Sequence, residues 1–363
     1  MTLSGRPLLD TRPDSELFVD RVEEMSRVRA ALNQGLNCLV VGERGSGKTS
    51  LVRALMFRSR QDGDRQDRRP PELLYVHGAG ADGAAGLLAR AADAIARHQG
   101  DLPPGTSRVL GDGMSGDAPE LIAELGERAA RRDHIVIALD DCPAGAGNAL
   151  FGALRDELWS IDLRWLVTVP TSDKGVLMRP PADAFFESQV ELEPLAVSDS
   201  IEILRRRMRE VPERLLAEAA GIGAGNPRRL LDVARELGGD YSQWSAFSLA
   251  ASQREKALVS LGRSAQMLAH ELEELGGASA SDEQLLSRMG WTRPRVVQVL
   301  AEMEQAGLVT ASRQKSGQGR PRKVYKVVSP AQFVQQRLAA RTKANDQTQE
   351  GTHDQPQARE PSA

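Results

Sequence analysis

The stretch Gly42-Glu43-Arg44-Gly45-Ser46-Gly47-Lys48-Thr49, followed by Ser50, decides the fold. An apolar run, Leu36 to Val41, leads into it, and Leu51-Val52-Arg53-Ala54-Leu55-Met56 leads out. The order reads as strand, glycine-rich turn, helix, which is the setting that a phosphate-cradling P-loop requires. Glycines let the backbone wrap an anion, often at positive φ. The loop amides and the following helix N-terminus point at that anion. In such a loop Lys48 bridges the outer phosphates and Thr49 holds Mg²⁺, so Gly42 to Ser50 form the expected nucleotide-binding set. The bland alternative, a Gly-rich turn without a ligand, is disfavoured by the flanking strand and helix.

Outward from the loop, apolar runs alternate with helical periods. Strands are expected at Leu73–Val76, His134–Leu139, Arg164–Val169 and Gln189–Leu192. The run His134-Ile135-Val136-Ile137-Ala138-Leu139 is continuously apolar, as a strand buried on both faces would be. Helices are expected at 16–32 (after an extended start), 48–58, 83–97, 119–131 and 148–158, with long loops at 60–71 and 99–118. This alternation implies an α/β fold with a parallel sheet covered on both sides. Residues 1–15 are polar and Pro-bearing and read as a loose leader.

The strand 134–139 ends in Asp140-Asp141. In P-loop proteins an acid at the end of a neighbouring strand holds the Mg²⁺ water shell, and Asp140 fits that place. Asp141 is placed to act as general base on water. It is one methylene shorter than the more usual Glu, which leaves slow or absent hydrolysis as an alternative to ordinary ATPase turnover. A strand end capped by two solvated acids is the alternative.

Four segments together resemble AAA+ ATPases of the origin-recognition and initiator group, and the related STAND-type signalling ATPases. Glu16-Leu17-Phe18-Val19-Asp20-Arg21-Val22-Glu23-Glu24 resembles the opening motif that sits beside the adenine. The P-loop and Asp140-Asp141 follow at suitable spacing. Gly225-Asn226-Pro227-Arg228-Arg229 resembles the sensor-2 motif of the helical lid. The resemblance implies ATP and Mg²⁺ as cofactors, and Arg228 reaching the γ-phosphate from the lid. A guanidinium there distinguishes ATP from ADP by its extra anionic oxygens. It further implies a sensor 1 at Thr168 or Thr171, where the family often has Asn. Arg179, in Leu177-Met178-Arg179-Pro180-Pro181, lies where an arginine finger acting on a neighbouring subunit would be, with an ordinary surface arginine as the alternative. The likeness spans residues 16–237.

The C-terminal part is different in kind. Glu255 to Leu275 carries Leu258, Leu261, Ala265, Leu268, Leu272 and Leu275 at helical spacing. A core helix is favoured over a short dimerising coil. Ser281-Asp282-Glu283-Gln284 reads as a capping box. Thr292 and Pro294 open a further helix with Val296, Val299, Leu300 and Met303 on one face. Leu308–Gln314 and Val324–Val328 read as strands around the basic, Gly-rich stretch Lys315 to Lys323. This α+β segment resembles bacterial DNA-binding winged helices, and its neighbourhood is basic: residues 288–326 hold nine Arg/Lys and two Glu, a net of +7. The resemblance implies double-stranded DNA as partner. Arg293, Arg295 and Gln298 would read base edges, and Arg320, Arg322 and Lys323 would grip phosphates or the minor groove. A winged helix that contacts only protein is the alternative.

The 363 residues suffice for several domains. The expected organisation is a P-loop core over 16–196, a helical lid over 197–240, a winged helix-turn-helix over 254–328 after a Ser/Ala-rich linker, and a disordered tail over 343–363. Cys38 and Cys142 lack metal-ligand spacing and read as buried thiols. No apolar run reaches a membrane span, and Asp10, Asp14 and Glu16 interrupt any signal pattern, so a cytoplasmic location is expected. Two functions remain in view: an ATP-hydrolysing protein whose nucleotide state controls DNA binding or homo-oligomer assembly, and a STAND-like switch or scaffold with slow turnover and protein partners. A plain kinase explains neither the Gly225–Arg228 segment nor the basic C-terminal part.

Overall fold

The computed structural model describes residues 3–63, 71–103, 118–131, 134–208, 211–236, 244–314, 322–329 and 332–333. Residues 104–117 of the expected loop 99–118 and the expected tail lie outside these residues. The chain forms two compact units, Met1–Asp232 and Val233–Ala363.

The first unit is built on five parallel strands, β1 (Cys38–Gly42), β2 (Glu72–His77), β3 (Ile135–Asp140), β4 (Arg164–Pro170) and β5 (Ser188–Leu192), ordered β2-β3-β4-β1-β5. The P-loop strand β1 therefore lies between β4 and β5. Helices α1 (Arg12–Glu16), α2 (Val22–Asn33), α3 (Lys48–Gly63), α4 (Gly83–Gln99) and α5 (Ala118–Ala129) alternate with the strands. The expected helix 148–158 is three short pieces: α6 (Ala144–Asn148), a π-helical turn (Ala149–Ala153) and α7 (Arg155–Trp159). Side chains alternate across the sheet with period two. Cys38, Val40, Val136, Ala138 and Leu166 join Met25, Val28, Leu51 and Leu55 from α2 and α3. Leu39, Ile135, Ile137, Leu139, Trp165 and Val167 join Leu87, Ile95, Ile122 and Leu125 from α4 and α5. The scarce aromatics concentrate on this second face, where Phe151 meets Trp165, Phe185 and Phe186 with ring centroids 5.3, 4.9 and 5.1 Å apart.

Chain topology completes the unit. Helix α8 (Thr171–Leu177) follows β4, and α9 (Val197–Arg205), α10 (Glu213–Gly223) and α11 (Pro227–Glu236) follow β5. The last three bury Ile203, Leu204, Leu216, Ala219 and Leu230.

The opening residues differ from the expected loose leader. Leu8 N–H donates to Ser50 Oγ at 3.2 Å. Asp14 is 5% exposed and accepts from Arg6 at 2.6 Å and from Leu9 N–H at 2.7 Å. Asp10 pairs with Arg60 and lies 3.8 Å from Arg53, both on α3. Asp14 is thus held by residues within the segment, and Leu8 and Asp10 by residues of α3.

In the second unit α12 (Trp244–Ser260), α13 (Arg263–Leu275), β6 (Ala278–Ser279), α14 (Glu283–Met289), α15 (Arg293–Gln305), β7 (Val309–Gln314) and β8 (Arg322–Val327) follow in order. The three strands pair antiparallel as β6-β8-β7. The expected continuous helix Glu255–Leu275 is broken: Gly262 at φ +86 separates α12 from α13, and the expected linker from residue 244 is already helical. Helix α13 buries Ala265, Leu268 and Leu272 beside Leu285, Val296, Leu300, Met303 and Phe333, while α12 adds buried Ala250 and partly buried Leu258 to the same core. The cap of α14 is Asp282 rather than Ser281. Its carboxylate accepts from Gln284 N–H at 3.0 Å and Leu285 N–H at 3.2 Å. At the start of α15, Thr292 makes no side-chain cap bond.

Candidate nucleotide site

The turn between β1 and α3 has the backbone that the sequence requires. Gly45 and Gly47 adopt φ +88 and +98, where a side chain is strained. Gly42 is required for a different reason: a Cβ there would fall 2.6 Å from Ser46 Oγ. Ser46 is buried, and its hydroxyl is without a hydrogen-bond partner. A buried hydroxyl in that state costs free energy unless a ligand satisfies it. The Lys48 ammonium donates to Gly42 O at 2.7 Å and Glu43 O at 2.9 Å, folded back across the loop. Glycines in left-handed geometry, an ammonium and an unsatisfied hydroxyl together fit a phosphate chain.

The acid at the end of β3 stands against the first turn of α3. Asp140 is 2% exposed. Its Oδ2 accepts from Thr49 Oγ1 at 2.8 Å and Tyr75 OH at 2.9 Å, and its Oδ1 accepts from Thr168 Oγ1 at 2.7 Å. The expected Mg²⁺ pair, Thr49 and Asp140, is thus in direct contact, and a hard oxygen set suits that ion. Burial, reinforced by the Asp140 charge, raises the Tyr75 phenol well above its ordinary value. Of the two sensor-1 candidates, Thr168 is buried and joins this cluster, whereas Thr171 is exposed at the start of α8. Thr168 Oγ1 also accepts from Asp141 N–H at 3.0 Å. Asp141 is half-buried in left-handed backbone, φ +54, one residue beyond the strand.

On the other side of the loop stands the segment that joins α10 to α11. Asn226 Nδ2 donates to Arg44 O at 2.9 Å, and Arg228 N–H donates to Gly45 O at 3.3 Å. Asn226 Oδ1 accepts from Arg228 N–H at 3.1 Å and Arg229 N–H at 3.3 Å, which caps α11. The Arg228 side chain is exposed. Arg21, with φ +65, is buried and donates to Glu24 at 2.6 Å and to Glu193 O at 2.6 Å. Ser50 Oγ faces the opening segment through Leu8. Arg179 is exposed, and its carbonyl accepts from Asn148 Nδ2 at 2.8 Å.

Both cysteines are buried thiols. Burial pushes Cys38 up to about 11 and Cys142 up to about 12, the latter helped by the Asp141 charge. Among the described residues no three or more of His, Cys, Asp and Glu gather in metal-holding geometry, and no helix is long and apolar enough to cross a membrane.

In the second unit Arg293, Arg295 and Gln298 are exposed on α15. Arg295 donates to Gln298 at 3.0 Å and to Ser264 at 3.2 Å, and Gln298 donates to Glu302 at 3.1 Å. Arg322 and Lys323 are exposed on β8, and Lys323 is paired with Glu304 at 2.9 Å. Arg320 lies outside the described residues.

The sequence reading singled out neither Tyr75, which reaches Asp140, nor Asn226, which reaches the loop. Asn-Pro at a helix start was a readable cap signal for Asn226. Nothing local marks Tyr75, whose importance comes from β2 lying beside β3.

Comparison with known proteins bears on the fold. Residues 17–178 match the family model described as AAA ATPase domain. No curated protein matches the chain. Among solved structures, the ORC1 protein of Aeropyrum pernix, determined in complex with DNA, is similar at a TM-score of 0.52 with 17% identity, covering 91% of this chain and 94% of that one. A Walker-type ATPase of Pyrococcus abyssi is similar at a TM-score of 0.50 with 18% identity, covering 92% and 99%. At such identities the likeness is one of fold, and it extends to the parallel P-loop sheet and its helices. Over residues 17–178 the chain is thus similar to the AAA ATPase domain family, and its first unit has the parallel-sheet fold of P-loop proteins.

Proposed function

We propose that the first unit binds and hydrolyses Mg-ATP, and that its nucleotide state controls DNA binding or self-assembly through a winged helix in the second unit. The observation that carries the nucleotide reading is the loop with the unpartnered Ser46 hydroxyl, flanked by Thr49–Asp140 on one side and Asn226–Arg228 on the other. Gly42 to Ser50 cradle the phosphates, and Lys48 leaves the loop carbonyls to meet them. Thr49 and Asp140 hold Mg²⁺, which neutralises charge on the phosphates. Asp141 orients or deprotonates the attacking water. Arg228 reads the γ-phosphate, and Arg179 acts on the nucleotide of an adjoining copy.

The DNA reading is supported by the order α13-β6-α14-α15-β7-β8 and the antiparallel sheet β6-β8-β7, an arrangement that fits a winged helix. It is supported also by the exposed Arg293 on α15 and Arg322 on β8. The A. pernix protein of similar fold was determined with DNA bound.

ATP turnover with and without duplex DNA, on the wild type and on Lys48→Ala, tests the reading. Turnover that Lys48→Ala abolishes, together with ATP-dependent mobility shifts of duplex DNA, supports it. Equal DNA binding with ATP, ADP or no nucleotide defeats the control by nucleotide. One feature favours a second reading, a STAND-like switch with slow hydrolysis and protein partners: Asp141 occupies the place where Glu is usual. ATP binding without turnover in either condition selects it.

A further inference from the structure

Tyr75 has no part in the function proposed above, yet it touches the acid on which that function depends. It stands on β2 opposite Ala138 of β3. Its hydroxyl donates to Asp140 Oδ2 at 2.9 Å, the oxygen that Thr49 also reaches at 2.8 Å, while Thr168 holds Oδ1 at 2.7 Å. Hydroxyls thus grip both ends of the carboxylate and fix its plane. The phenol is itself held from behind. The Arg53 guanidinium lies 3.4 Å from the Tyr75 ring centroid. Arg53 is on α3 one turn beyond Thr49, and the same guanidinium lies 3.8 Å from Asp10. A connected row therefore runs from Asp10 through Arg53 and Tyr75 to Asp140 and Thr49.

We propose that Tyr75 is a positioning residue for the metal pair, holding Asp140 with Oδ2 turned to Thr49. The inference rests on the Mg-ATP reading of the site. Groups that orient metal-binding carboxylates typically change metal affinity when removed, by about 10- to 100-fold. A phenol that merely fills space between β2 and α3 would not.

The test is a Mg²⁺ titration of the full chain with a fluorescent ATP analogue, beside a titration of the analogue in EDTA. Tyr75→Phe keeps the ring and its stack on Arg53 but removes the hydroxyl. The expected result is a Mg²⁺ midpoint raised on the order of tenfold, with EDTA affinity unchanged. Arg53→Met leaves the hydroxyl but frees the ring, and it raises the midpoint by less. An unmoved or lowered midpoint in Tyr75→Phe, beside a Mg²⁺-responsive wild type, overturns the inference alone. A wild type that binds the analogue no better with Mg²⁺ than without overturns the Mg-ATP reading, and this inference with it. Equal losses with Mg²⁺ and in EDTA mark a structural role and also overturn it.

Discussion

Gly45 and Arg228, far apart in sequence, touch through their backbones: Arg228 N–H donates to Gly45 O at 3.3 Å, and a Cβ on Gly45 would fall 2.7 Å from Arg228 Cβ. With Gly45 at φ +88, Gly45→Ala meets both backbone strain and a clash. Together these cost about 1–3 kcal/mol. The first turn of α11 must also shift off the loop. Gly80, at φ +71 with open space around it, supplies a comparison, since Ala there meets strain alone. Gly45→Ala is expected to unfold at a lower temperature than Gly80→Ala and to bind ATP at least tenfold more weakly. Calorimetry and ATP titration check this, and matching behaviour of the two variants would refute it.

Thr168 serves two neighbours with one hydroxyl, donating to Asp140 and accepting from Asp141 N–H. Thr168→Val keeps the shape and strands both groups in a buried place. The expected loss of stability is about 1–3 kcal/mol in urea unfolding. A loss below about 0.5 kcal/mol would show the hydroxyl to be dispensable.

The opening segment carries a pH signature. The hydrogen bond from Arg6, opposed by burial and helped by Leu9 N–H, holds the Asp14 carboxyl below its ordinary range. A lowered folded value means that the contribution is fully present above the unfolded aspartate value, about 3.9, and is lost as pH falls through the folded value. The Arg6 side chain is 45% exposed, so screening keeps the pair small, under about 1 kcal/mol. The stability gap between wild type and Asp14→Asn is expected to be constant from pH 7 to 5 and to shrink below about pH 4. A gap that does not change with acid contradicts the assignment.

The two residues that open α14 are separable. Asp282→Ala removes the acceptor of two helix N–H groups and is expected to cost about 1 kcal/mol. Ser281→Ala is expected to cost only a few tenths. Chemical denaturation of both variants checks the order, and a larger loss from Ser281→Ala would reverse the assignment.

What was legible in the sequence was local. Strand, glycine turn and helix at Cys38–Gly63 follow from apolar period and glycine placement, and Asp140 from its position at the end of a fully apolar strand. The pairing of Thr168 with Asp140 was less visible. It needs β4 beside β3 with both side chains on the α3 face, a matter of strand order that no single segment states. Tyr75 and Arg53 were hidden for the same reason. The break at Gly262 was masked by leucines that keep helical spacing across it, and two-residue β6 is too short to carry a period. Residues 1–15 read as a loose leader because the arginine partners of Asp10 and Asp14 are not adjacent in sequence.

The residues before position 17 lie outside the family match, yet they brace the helix that begins with Lys48. A fragment trimmed to the matched boundary would uncover the side of α3, leave Ser50 without Leu8, and strip Asp10 from the arginine that backs Tyr75. The portion that the family model matches is smaller than the portion that works as one mechanical piece. Shortened versions that begin at residue 17 would therefore be expected to lose grip on nucleotide with every phosphate-loop residue still in place.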